Sequence, residues 1–168
     1  MTKANLRDPE QWIPRDLFAA YCGPSSDKLL AYYDKAKAKR QLITASFDAF
    51  AFLLLPAWFG YRQQWTLWAA LNGCLAAIAV AEIALRMQLP TGAFGGGMIA
   101  LGLMARGLLL SNANGLYLKL KQQGLADDAI GTALAGRASP RAGHAALALL
   151  ASLAIGIGAA LFTPSEYP

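Results

Sequence analysis

The chain has 168 residues, 56% of them hydrophobic and 15% charged, with a mean hydropathy of +0.35. A water-soluble domain of this size needs a more polar surface, so the composition argues for an integral membrane protein. The net charge of +5 fits basic residues gathered at the cytoplasmic face of a bilayer better than it fits nucleic acid.

Residues 1 to 46 are polar and charged. They carry no short basic stretch, apolar core and small-residue cleavage site in succession, so the first spanning helix is expected to direct insertion. After Pro14, RDLFAAYC places Leu17, Phe18 and Tyr21 on one helical face. GPSSD is a turn in which Ser25 or Ser26 can cap the next helix. That helix, DKLLAYYDKAKAKRQ, sets Leu29, Tyr33, Ala36 and Arg40 roughly in line, with lysines on its other face. It suits either a membrane surface or plain solvent. Cys22 and Cys74 fall in no CxxC or other ligand spacing, so neither a metal site nor a disulfide framework is expected.

Residues 47–61 form an apolar aromatic block containing FLLLPAWFGY, broken by Pro56 and opened by Asp48. Residues 65–85, long enough to cross about 30 Å of hydrocarbon, begin with the interface-seeking pair Trp65 and Trp68. MQLPTGAFGGG reads as a turn, through Pro90 and its glycines. Residues 95–115 form a second span holding Arg106 and a polar tail of Ser111, Asn112 and Asn114. Tyr117 then stands as an interfacial anchor, with Lys119 and Lys121 just outside. Residues 126–136 suit a short helix with Asp127 and Asp128 at its favourable end and Ile130 and Leu134 on one face. Residues 142–162 are a third span, and 163–168 a polar tail.

Two topologies are open. If 47–61 crosses, the chain spans four times, with nine basic residues inside and five outside. If the block enters and returns, thirteen lie inside and Arg86 alone outside, which fits the positive-inside rule better. The block is also short for a crossing, and Pro56 removes a helical hydrogen bond within it. Such a broken segment at membrane depth must be covered by protein. The expected fold is therefore an all-α membrane protein with three transmembrane helices plus a re-entrant or interfacial aromatic hairpin. Cytoplasmic amphipathic helices (1–46) precede this transmembrane domain (47–162).

SFDAFAFLLLPAWFGYRQQW, with Phe47, Ala51, Phe52, Pro56, Trp58, Tyr61 and Arg62, resembles a small bacterial inner-membrane family, the domain of unknown function 2628. Asn114 and Tyr117, near the end of a later span, are similar to a second feature of that family. The resemblance covers roughly residues 30 to 123. Asp48 and Ala49 stand where members carry Asn-Trp, and Gly115 where a basic residue is usual. The resemblance implies a membrane protein and no particular reaction.

Arg106 is the sharpest candidate residue, because a charge near mid-span costs at least about 2.5 kcal/mol on insertion scales. Asn72 falls at a similar depth, about 10 Å in, so an Asn72–Arg106 contact is expected. Glu82 lies near the outer edge, one turn from Arg86 and suited to pair with it. His144 is the sole histidine and reads as interfacial packing, with no ligand set around it. Below it Ala148, Ser152, Gly156 and Ala160 recur every four residues, a small-residue stripe for close helix approach within the chain or to a partner. Phe52, Trp58, Tyr61, Arg62, Trp65, Trp68 and Tyr117 are the expected membrane-interface residues. Asn72, Glu82, Arg106, Asn112 and Asn114 are the expected intramembrane polar ones.

No nucleophile–base–acid set is visible, and no cofactor or metal is expected. The leading expectation is a non-enzymatic accessory or scaffolding subunit docked on a larger membrane complex. One alternative is a transporter or channel component passing an anion or polar solute by Arg106, Asn72 and Asn112. Another is a lipid-binding, membrane-organising protein. Anionic lipid and an integral membrane partner or homo-oligomer are the expected partners, without nucleic acid. The expected location is the bacterial inner membrane, N-terminus cytoplasmic and C-terminus periplasmic.

Overall fold

The computed structural model describes residues 9–24, 26–85 and 91–162. After a short 3-10 turn at Pro9–Gln11 come α1 (Arg15–Cys22), α2 (Asp27–Ala38), α3 (Ala49–Leu53), α4 (Leu55–Tyr61), α5 (Trp65–Leu85), α6 (Thr91–Gln122), α7 (Asp127–Leu134) and α8 (Ala142–Phe162). The chain divides into two compact units. One holds Met1–Asp48 and Leu103–Pro140, the other Ala49–Gly102 and Arg141–Pro168.

In the first unit, Leu17, Phe18 and Tyr21 of α1 are buried, as the helical spacing predicts. Phe18 stacks on Tyr33 of α2 at 5.5 Å. Ile130 and Leu134 of α7 are fully enclosed, as are Ala105, Leu109, Leu110 and Ala113 of α6. The chain after α7 pairs back on the end of α1, where Gly136 N–H donates to Ala20 and Ala138 N–H to Tyr21, each at 2.9 Å. Gly23 closes α1 at φ +69°, and a Cβ there would sit 2.8 Å from that of Ser139. Cys22 is buried here, whereas Cys74 of α5 is exposed.

Three local expectations are corrected. Arg40 is not on the α2 face, because the helix ends at Ala38 and Arg40 is exposed with φ +52°. Ser26 holds the N-cap position of α2 without a side-chain bond, and Ser25 lies outside the described residues. The expected turn over MQLPTGAFGGG is helical from Thr91 onward, so α6 begins four residues before the expected span start at 95; residues 86–90 lie outside the described residues. Glycine weakens a helix by only about 1 kcal/mol per residue, a cost that a helix of this length absorbs.

In the second unit the aromatic block is two short helices, interrupted at Leu54 (φ −134°, ψ 54°), with Pro56 in the first turn of α4 where it removes no helical bond. Ala51, Leu55, Ala57, Trp58 and Phe59 are buried, and α4 packs chiefly on α8. α5 has a mean hydropathy of 1.7 and is long and apolar enough to cross a membrane, the one such helix among the described residues. Only 6% of it is buried, so it is not the core helix of a soluble fold. α8 is apolar over Ala142–Gly158 and exposes Leu147, Leu150, Leu153 and Ile157. Such surfaces match lipid rather than water.

Candidate functional site

In the first unit α6 carries Arg106 to the end of the 41–48 segment. Ser46 N–H donates to the Leu103 carbonyl at 2.9 Å, fixing the chain just before Asp48. The guanidinium Nη2 and Nε then donate to one carboxylate oxygen, Asp48 Oδ2, at 3.0 and 3.2 Å. The two side chains are 15% and 20% exposed. At that burial the charges are only partly screened by water, so the pair's attraction outweighs that of a surface ion pair. The Arg106 cation is thus neutralised by an acid from before the aromatic block. Asn72 is buried in the second unit, where its Nδ2 donates one turn back to the Trp68 carbonyl at 2.9 Å.

Asn114 is fully buried, and its Oδ1 accepts from Ile13 N–H at 2.7 Å. The Ile13 carbonyl accepts from the Tyr33 hydroxyl at 2.8 Å. One residue of the N-terminal segment is therefore clasped from both sides, by α6 and α2. Burial, followed by the charges of Asp34 and Asp16, raises the Tyr33 pKa above its ordinary value. Asn114 Nδ2 is buried without a hydrogen-bond partner among the described residues. Asn112 is exposed. Tyr117 is buried, and its hydroxyl accepts from Lys121 at 2.9 Å, a bond that raises the lysine pKa.

The small-residue stripe of α8 divides in two. Ala148 is fully buried against Gly60 of α4, where a Cβ would meet the Ala148 side chain and come 2.5 Å from the His144 carbonyl oxygen. Ser152 Oγ accepts from Trp68 Nε1 at 3.0 Å and donates to the Ala148 carbonyl at 2.9 Å. One turn further, Gly156 is exposed, with nothing within 4 Å of where its Cβ would be. The side chain of Ala160 lies outside the described residues.

His144 packs on Trp65 with ring centres 5.5 Å apart, and its Nδ1 is buried without a hydrogen-bond partner among the described residues. Phe52 is half-buried, its backbone close against Gly102, while Trp58 is enclosed. Tyr61 meets Phe50 edge-on at 5.7 Å, with the Arg62 guanidinium 5.6 Å from its ring centre. Glu82 is half-buried and engaged in an interaction; its expected partner Arg86 lies outside the described residues. Among the described residues no three His, Cys, Asp or Glu side chains gather as metal ligands.

Sequence reasoning missed Asp48 as a partner, noting it only as the residue that opens the aromatic block and departs from the resembled family. The available signal was charge compensation: an arginine within an apolar run calls for an acid, and Asp48 opens the aromatic block. It also missed Gly60, whose lack of a side chain sets the α4–α8 spacing.

The exposed apolar α5 in a mostly α-helical chain defines a membrane-associated, mostly α-helical protein. Residues 19–122 match the family described as "Protein of unknown function (DUF2628)", and the chain belongs to that family. The match takes in Asp48, Arg106, Asn114 and Tyr33 and ends before α7 and α8. No curated protein and no solved structure matches the chain.

Proposed function

We propose that this protein is a non-enzymatic accessory or scaffolding subunit of a bacterial inner-membrane complex. In this reading α5, the first part of α6 and α8 cross the bilayer, and α3 and α4 enter and return on the cytoplasmic side. The break at Leu54 and the cover that α8 gives α4 support the return. The observation that carries the docking role is the divided α8 stripe. Ala148 and Ser152 are used inside the unit, while Gly156 offers a bare backbone with nothing against it. An exposed glycine in an apolar helix costs helical stability and brings no packing within this unit, which suits close approach by a partner helix. The Asp48–Arg106 pair leaves the arginine charge compensated, which argues against its use as an anion ligand in transport.

The test is a photo-crosslinking amino acid placed at 156 and, separately, at 148 in cells. A specific membrane-protein adduct from 156 and none from 148 supports the docking role. Equal labelling by lipid at both positions, with no protein adduct, rejects it.

A further inference from the structure

We infer that the end of α2 and the segment after it form a docking surface for anionic phospholipid headgroups; this rests on the membrane placement proposed above. Lys35, Lys37, Lys39 and Arg40 are all exposed. The acid within this stretch, Asp34, is taken by Arg15 through bonds of 2.9 and 3.2 Å. No carboxylate among the described residues forms an ion pair with the four cations. Lysines in a last helical turn also complement the helix dipole, which accounts for Lys35 and Lys37 but not for Arg40 beyond the helix end. Arg40 sits in the left-handed region, the position where Gln41 N–H returns to the Ala36 carbonyl at 3.0 Å and where glycine is the unstrained choice. An arginine there retains a side chain at a conformational cost.

The segment after α2 presents apolar groups beside these charges and is held firmly while doing so. Tyr32 Oη accepts from Thr44 N–H at 2.8 Å and lies 3.1 and 3.2 Å from the carbonyl oxygens of Leu42 and Thr44. Gly107 admits the segment closely, since a Cβ there would fall 2.7 Å from Tyr32 Oη and 2.9 Å from Ile43 Cα. Ile43 and Phe47 are nevertheless exposed, at 39% and 65%. A pinned segment with outward apolar side chains next to cations that no carboxylate among the described residues pairs, Lys37 lying 5.8 Å over the Tyr33 ring, fits the boundary of an anionic leaflet. There the apolar groups enter the acyl edge and the cations meet phosphate.

The test uses the full chain with Cys74→Ala and an environment-sensitive fluorophore at Ile43→Cys, reconstituted in vesicles of phosphatidylcholine alone or mixed with phosphatidylglycerol. Acyl chains bear a quencher, and a label at Val80→Cys on α5 reports membrane placement itself. The expected result is quenching at 43 at least twofold stronger with phosphatidylglycerol. That gain should be lost in Lys35→Gln/Lys37→Gln/Lys39→Gln/Arg40→Gln, and apparent phosphatidylglycerol affinity should fall on the order of fivefold per charge removed. Quenching at 80 with none at 43 overturns the inference and leaves the membrane reading standing. Equal quenching at 43 in both lipids also overturns it, and does not depend on the fourfold charge variant folding. Loss of the phosphatidylglycerol gain on adding an RNA oligonucleotide would assign the patch to nucleic acid, again overturning it. Absence of quenching at 80 removes the membrane reading, and this inference falls with it.

Discussion

Arg106 and Asp48, 58 positions apart in the chain, share a single carboxylate oxygen at 3.0 and 3.2 Å. Removing either partner alone leaves the other charged and mostly shielded from water. Full burial would make that cost about 3–5 kcal/mol. At 15% and 20% side-chain exposure, Asp48→Ala is expected to cost about 1–3 kcal/mol. Asp48→Asn/Arg106→Gln, which keeps shape and hydrogen bonding, should recover part of the loss. Thermal unfolding of the wild type, Asp48→Asn, Arg106→Gln and the double variant in one detergent measures the coupling, and strict additivity would mean that the pair contributes nothing.

The α4–α8 seam predicts opposite responses at two glycines. Gly60→Ala drives a methyl group toward the His144 carbonyl and should destabilise by about 1–3 kcal/mol. Gly156→Ala meets open space and should be neutral or stabilise by up to about 1 kcal/mol in the isolated protein. Melting temperatures in detergent check both, and equal effects would refute the division of the stripe.

Clasping of Ile13 is expected to depend on both hands. Asn114→Ala leaves a buried N–H unsatisfied and should cost about 1–3 kcal/mol, whereas Tyr33→Phe should cost about 0.5–1.5 kcal/mol. Amide hydrogen exchange at Ile13 should accelerate strongly in Asn114→Ala and only modestly in Tyr33→Phe.

Alkaline stability should track Tyr33. Its pKa in the folded protein is raised above the ordinary 10.0, chiefly by burial, so folding favours the protonated phenol. The stabilisation is therefore complete below pH 10.0 and lost as pH rises through the folded pKa. A pH series of thermal melts should show this fall in the wild type and a shallower one in Tyr33→Phe.

Re-entry of the aromatic block is tested by compartment. Ala45→Cys and Gln63→Cys should both react with a membrane-impermeant thiol reagent from the cytoplasmic side. Reaction from opposite sides would show that residues 47–61 cross.

Much of this fold is written in local periodicity. The bounds of α5 and α8 agree with the apolar runs 65–85 and 142–162, because apolar composition over that length has few other uses. The faces of α1 and α7 follow from the spacing of Leu17, Phe18 and Tyr21 and of Ile130 and Leu134. The glycines and Pro90 misled on where α6 begins, since a punctuation rule gives a weak local bias that a long helix overrides. The partner of Arg106 and the clasp on Ile13 join distant stretches, and no window of a single sequence displays such pairings. Gly60 was invisible for the same reason: its role is defined by what α8 brings against it.

The placement of the two thiols equips the protein with its own unfolding reporter. Cys22 is sealed in the first unit and Cys74 lies open on α5. A small lipid-soluble alkylating agent should consume one equivalent at once and the second only as the sealed region opens. The slow phase, followed by mass spectrometry, would time that opening in an unaltered chain and in the native bilayer, where calorimetry and chemical denaturants are hardest to apply.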